Sequence, residues 1–136
     1  MTQSLGFEVH LDCPYEKAIE KVTEALKAEG FGILTRIDVK ATLKEKLGAE
    51  FRPYVILGAC NPPLAHRALS HEPQAGLMLP CNVTVEAAEG GRSVVRIGDP
   101  AVMLSVGGLG QDPVLRGVGA EARARLERAA KSLRSA

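Results

Sequence analysis

The spacing of apolar and polar residues changes along the chain, and each spacing predicts a different element. From Leu5 to Leu11 every second residue is apolar, which is typical of a strand with one buried face. From Pro14 to Gly30 the apolar residues recur every three or four positions between charged ones, which predicts an amphipathic helix. Pro14 suits the first turn of this helix and Gly30 its C-terminal cap.

The rest of the chain alternates β-rich and helical segments before a hairpin. We predict, in order, a strand, a short helix, a strand, a helix, a β-hairpin and a C-terminal helix, at residues 31–39, 40–48, 52–60, 62–72, 76–99 and 112–134. The hairpin turn is marked by Glu89-Gly90-Gly91, and the last helix by Asp112 and Pro113 at its start.

The order β-α-β-α-β-α-β-β-α predicts an α+β fold. We expect a single mixed or antiparallel sheet with helices packed on one face. A chain of 136 residues has the usual size of one domain, so residues 1–136 are predicted to share one core.

The chain carries nearly balanced charge. The chain has seventeen Lys and Arg residues and sixteen Asp and Glu residues, which gives a formal net charge of +1. Such a chain has no strong positive field to attract a polyanion, and its three Phe and two Tyr residues are too few for a base-stacking platform. We therefore expect no nucleic-acid partner.

The N-terminal residues show no targeting signal. A basic stretch followed by an apolar run is missing, and no apolar run approaches the roughly 20 residues that span a bilayer. We expect a cytoplasmic protein without membrane contact, in which the three cysteines are free thiols.

The first candidate site is the segment Cys60-Asn61-Pro62, where a predicted strand passes into a helix. Asn61 is a favoured N-cap and Pro62 a favoured first-turn residue, so Cys60 is expected near the amides of a helix start. Those amides favour an anion and would stabilise a thiolate at Cys60. The alternative is that Cys60 is a small buried residue that ends a strand.

Other residues extend this candidate site. Cys81 and Asn82 repeat the Cys-Asn pair on the next predicted strand, so Cys81 is a second candidate catalytic thiol and Asn82 a candidate ligand-binding residue. Asp38 and Lys40, near the start of the short helix, and His66, on the following helix, are further candidate ligand-binding residues. Each has a simpler interpretation, Asp38 as a helix cap and His66 as a surface residue.

The sequence predicts neither a metal nor a cofactor. Cys60, His66 and Cys81 each stand alone, whereas zinc ligands usually occur in close pairs. The glycines at 107, 108 and 110 precede a helix but lack the lysine and hydroxyl residue of a phosphate-binding loop. A flexible loop or lid is the better interpretation.

Three segments together resemble a known family: EGFGILTRIDVKATLKEKLG, PYVILGACNPPLAHRAL and GLMLPCNVTV. They are similar, in order and spacing over about residues 5–105, to small bacterial and archaeal proteins defined as domain of unknown function number three hundred and two. The resemblance implies a single α+β domain similar to one half of the TATA-binding protein, assembled as a homodimer. It implies no reaction, and fold analogy brings no DNA binding with it.

Three functions remain open at this point. The first is a protein that binds a small polar or anionic ligand in a cleft at the Cys60-Asn61-Pro62 helix start. The second is a thiol-based redox protein or enzyme that uses Cys60 with Cys81. The third is a homodimeric structural or interaction subunit. We rank ligand binding first because it requires least of the residues.

Overall fold

Five strands form one antiparallel sheet in a computed structural model that describes residues 4–135. The strands are β1 (Gly6–Leu11), β2 (Gly32–Asp38), β3 (Tyr54–Cys60), β4 (Cys81–Ala87) and β5 (Ser93–Gly98). Their order across the sheet is β1-β5-β4-β3-β2. The predicted α+β class and single sheet are confirmed, and every strand pairing is antiparallel.

Residues 4–135 also form five α-helices. They are α1 (Tyr15–Ala28), α2 (Val39–Leu47), α3 (Pro62–His71), α4 (Pro100–Met103) and α5 (Pro113–Arg134). All the helices predicted from the sequence are present, and α4 and a 3₁₀ turn at Pro73–Met78 are additional. No helix among residues 4–135 is both long and apolar enough to cross a membrane.

The core lies between one face of the sheet and helices α1 and α5. Val9, Val95, Val85 and Val55 stand in register across four neighbouring strands, and all four are buried. They belong to the same apolar cluster as the buried stripes of α1 and α5. The alternating apolar residues of the strands therefore form the face of the sheet that α1 and α5 cover.

The opposite face of the sheet carries an ion-pair cluster around Glu86. This carboxylate is 7% exposed and accepts from Arg52 Nε at 2.6 Å and from Arg96 Nη1 at 2.5 Å. Burial raises the pKa of Glu86, but the hydrogen bonds and charges of the two arginines outweigh it and hold the pKa below its ordinary value. Glu86 is therefore ionised at neutral pH and ties β4 to β5.

Candidate functional site

A cavity of about 520 Å³ lies at one end of the sheet. Here β3 ends at Cys60, β4 begins at Cys81 and β5 ends at Gly98, and all three residues line the cavity. Strand β2, helices α3, α4 and α5 and the 3₁₀ turn also contribute to the walls. The volume is within the roughly 300–1,000 Å³ usual for small-molecule sites.

The cavity wall is mainly apolar. Leu64 of α3, Leu104 just after α4 and Val118 of α5 are buried side chains that face it. Polar side-chain groups are few, and Thr35, Asn61 and Asn82 supply the amide and hydroxyl groups. An apolar wall with a few polar groups is typical of sites for small organic molecules.

Asn61 begins α3 as predicted. Its Oδ1 accepts a hydrogen bond from the Leu64 amide at 3.3 Å, and Pro62 and Pro63 occupy the first two helical positions. Prolines have no N–H, so the first turn of α3 has no unpaired amide to offer an anion or a thiolate. The anion-binding helix start expected from the sequence is therefore missing at this place.

The amide nitrogen of the Asn61 side chain links α3 to the C-terminal end of α1. Its Nδ2 donates to the Glu29 carbonyl at 3.5 Å, and the side chain is 8% exposed. The next residue, Gly30, has φ of +84°, and a Cβ there would lie 2.9 Å from Asn61 Nδ2. Glycine thus permits both the turn and the close approach, and Asn61 acts first as a structural bridge beside the cavity.

Both candidate thiols reach the cavity. Cys81 on β4 pairs with Ala59 on the adjacent strand β3. Cys60 is the next residue of β3 after Ala59. Both are free and partly buried. Burial, and to a smaller extent the nearby Cys60, raises the pKa of Cys81 from 9.0 to about 11. Cys81 is therefore a protonated thiol at neutral pH, which is unfavourable for attack on a substrate or a disulfide.

The remaining predicted site residues divide into two groups. Asn82 is exposed and lines the cavity. Gly32, at the start of β2, pairs with Cys60. Asp38 is the last residue of β2 and Lys40 follows it, so both lie at the end of β2 that is away from Cys60.

Other contacts occupy these distant residues. Asp38 Oδ1 accepts from the Ala41 amide at 2.9 Å as the cap of α2, and Lys40 Nζ donates to the Phe51 carbonyl at 2.9 Å. His66 is exposed on α3 and does not line the cavity. The assignment of Asp38, Lys40 and His66 to this ligand site is therefore corrected.

Sequence reasoning missed the walls formed by α4 and the 3₁₀ turn. Met78 and Met103 line the cavity from these two segments. At four residues, α4 is too short to show a helical period, and the turn shows none. The only sequence signals were Pro73 and the pair Asp99-Pro100, which mark segment starts without showing what they enclose.

The rim of the cavity carries exposed leucines. Leu34, Leu69 and Leu77 line it and are 67%, 41% and 81% exposed. They come from β2, α3 and the 3₁₀ turn, so three separate segments place large apolar side chains at the opening. An apolar molecule would therefore meet apolar surface before it enters.

Comparisons with known proteins identify a family. A family model described as "Domain of unknown function DUF302" matches residues 7–133. The chain is also similar to the crystal structure of an uncharacterized conserved protein DUF302 from Bacillus stearothermophilus, with 32% sequence identity and a TM-score of 0.81, over 95% of this chain and 98% of that chain. No curated protein matches. Sequence and fold therefore agree over nearly the whole length, and the chain belongs to the DUF302 family.

Proposed function

We propose that this domain binds a small, mainly apolar molecule in the cavity at the end of the sheet. The observation that supports this is the cavity itself, about 520 Å³ with mainly apolar side chains around it. The ligand class differs from the polar or anionic one expected from the sequence, because Pro62 and Pro63 remove the amides that would hold an anion.

The expected affinity is moderate. A ligand of about 20 non-hydrogen atoms that gains about 0.3 kcal/mol per atom binds with about −6 kcal/mol, or a Kd of about 40 μM. Asn82 and Thr35 line the cavity, and either can orient a polar group of such a ligand. The ligand is therefore an apolar body with at most a few hydrogen-bonding atoms.

N-phenyl-1-naphthylamine is a suitable probe, since it is neutral and its fluorescence rises in apolar surroundings. We expect saturable binding of one probe per chain. Ala65 lines the cavity, so Ala65→Phe should fill part of it and weaken binding at least ~10-fold, a loss of about 1.4 kcal/mol.

The matched control is Ala124→Phe, because Ala124 is exposed on α5 and does not line the cavity. This variant should bind the probe like the natural protein. Equal affinity of the Ala65→Phe variant, or fluorescence that never saturates, would refute the proposal. The thiol-based enzyme and the homodimeric subunit stay predictions from the sequence, and the raised pKa of Cys81 weighs against the first.

A further inference from the structure

Helix α3, one wall of the cavity, makes polar contacts with its neighbours at three places along its length. At its start, the Asn61 side chain donates to the backbone at the end of α1. In its middle, Arg67 Nη2 lies 3.6 Å from Glu121 Oε1 of α5. At its end, His71 Nε2 lies 2.6 Å from Oδ2 of Asp112, the N-cap of α5. One end of α3 is therefore held to α1, and the rest is held to α5.

The end of α3 that His71 holds also forms part of the cavity mouth. Leu69, two residues earlier, is one of the rim leucines, and the 3₁₀ turn begins at Pro73. A Cβ on Gly76 of that turn would lie 3.4 Å from Leu69 Cδ2, so the turn packs directly on α3. The rim residue Leu77 follows Gly76, and its position is therefore coupled to this end of α3.

Of the three contacts, the one between His71 and Asp112 has a charge that depends on pH near neutrality. An imidazole ordinarily gains or loses its proton between about pH 5 and 8, whereas guanidinium and carboxylate groups keep their charge there. Partial burial raises the pKa of Asp112, but hydrogen bonds from His71 and from two backbone amides of α5 outweigh it and hold this pKa below its ordinary value. Asp112 therefore stays a carboxylate over that range while the imidazole changes charge.

The charged groups around this contact have other partners. Three further charged side chains lie within four residues of His71 or of the α5 cap: Arg67, Glu72 and Arg116. Arg67 pairs with Glu121, and the Glu72 carboxylate accepts from an amide of the 3₁₀ turn at 2.8 Å. Arg116 Nη1 donates to a backbone carbonyl at 3.2 Å. Residues 73–78 and 107–111, which adjoin the contact, contain no titratable side chain.

We propose that the contact between His71 and Asp112 is a pH-dependent latch on the cavity mouth, which holds more firmly when the imidazole is protonated. The protonated pair adds an ionic attraction to the hydrogen bond, and each charge lies at the helix end that favours it. Loss of the proton weakens the contact, so the end of α3 separates from α5 more often and a bound molecule leaves faster. This effect on ligand release rests on the proposed binding function.

The first test is the dissociation rate of N-phenyl-1-naphthylamine, measured by stopped-flow from about pH 5.5 to about pH 8, over which the probe stays neutral. The natural protein should release the probe about 3-fold faster at the upper pH than at the lower, which is the size expected for an exposed ion pair. A rate that is constant over this range, or that falls as the pH rises, overturns the proposal.

Two variants remove the charge change, one at each partner. Asp112→Asn keeps a favoured N-cap on α5 without the carboxylate, and His71→Gln keeps a polar side chain that does not titrate. Both should release the probe at the fast rate throughout the range. The matched control is His66→Gln, because His66 is exposed on the same helix and does not line the cavity. Natural pH dependence in either of the first two variants, or its loss in the control, overturns the proposal.

A second readout needs no bound probe and separates this proposal from the binding function. Cys60 and Cys81 line the cavity, whereas Cys13 is buried in the core and does not line it. The rate at which each thiol reacts with 4,4′-dithiodipyridine is compared between His71→Gln and the natural protein at the same pH. Because the thiol chemistry is the same in both proteins, the ratio of the two rates reports access to the cavity.

At about pH 5.5 the two cavity thiols of His71→Gln should react about 3-fold faster than those of the natural protein, and at about pH 8 equally fast. Cys13 should react equally in both proteins at both pH values, which shows that the variant is folded. Equal rates for Cys60 and Cys81 at both pH values overturn the latch even if the probe binds. The expected thiol rates without saturable probe binding would instead refute the proposed function alone.

Discussion

Replacement of Asn61 tests how the cavity wall is held, because this one side chain caps α3 and joins it to α1. Asn61→Ala removes the 3.3 Å bond to the Leu64 amide and the 3.5 Å bond to the Glu29 carbonyl. Loss of an N-cap costs about 1 kcal/mol. The bond to Glu29 is long, so we assign it the low end of the usual range, about 0.5 kcal/mol. The expected total is about 1.5 kcal/mol.

Urea denaturation measures this loss. With a slope of about 1.5 kcal/mol/M, the midpoint of the Asn61→Ala variant should fall by about 1 M. Asn61→Ser keeps a capping oxygen but cannot reach Glu29, so its midpoint should fall by only about 0.3 M. Asp38→Ala removes a similar cap from α2, which buries no side chain, and serves as the exposed control.

The reasoning fails if Asn61→Ser is as unstable as Asn61→Ala, since the cap would then contribute nothing. It also fails if Asn61→Ala unfolds at the natural midpoint. A drop in the slope rather than in the midpoint would show a change in the compactness of the unfolded or native state, or unfolding that is not two-state, and would not count as loss of the cap.

Three further outcomes follow from contacts and pKa values. Gly58→Ala places a Cβ against Pro80 Cγ at 2.8 Å and should destabilise the protein by about 1–3 kcal/mol by thermal unfolding, whereas Gly32→Ala, with open space, should not. Because the folded pKa of Glu86 is lowered, its ion pairs stabilise the protein above about pH 4.5, and this stability is lost as the pH falls through the folded pKa. Glu86→Gln should therefore flatten stability against pH in the acid range, and an unchanged acid slope would refute this. The raised pKa of Cys81 means that stability should fall as the pH rises from about 9 to about 11, and that iodoacetamide should label Cys81 in folded protein only with a midpoint near 11. Labelling with a midpoint at or below 9 would contradict it.

Regular elements were predictable because their period reflects which face is buried. The stripe of α1 from Ala18 to Leu26 and the alternation in β1 both became core. The cap at Asn61 was also predictable, since its signal is local. These features depend on neighbours within a few residues, which a sequence displays directly.

The site was predictable only in part, because a cavity depends on how distant segments meet. Cys60, Asn61, Cys81 and Asn82 were identified and do line it. The prediction that Asp38 lines the cavity is wrong. Because β2 pairs antiparallel with β3, Asp38 lies at the end of β2 opposite to the one that meets Cys60. The missing amides of α3 are visible in the sequence itself, because Pro62 and Pro63 carry no N–H.

The most direct test of an apolar-ligand site is a ¹³C-methyl NMR titration with N-phenyl-1-naphthylamine. Binding in the cavity should shift the methyl signals of Leu64, Leu104 and Val118, which line it. It should leave unchanged the signals of Leu47, which is 74% exposed on α2 and does not line the cavity. Shifts at Leu47 with none at the three cavity residues, or no shifts up to a probe concentration well above about 40 μM, would contradict the account.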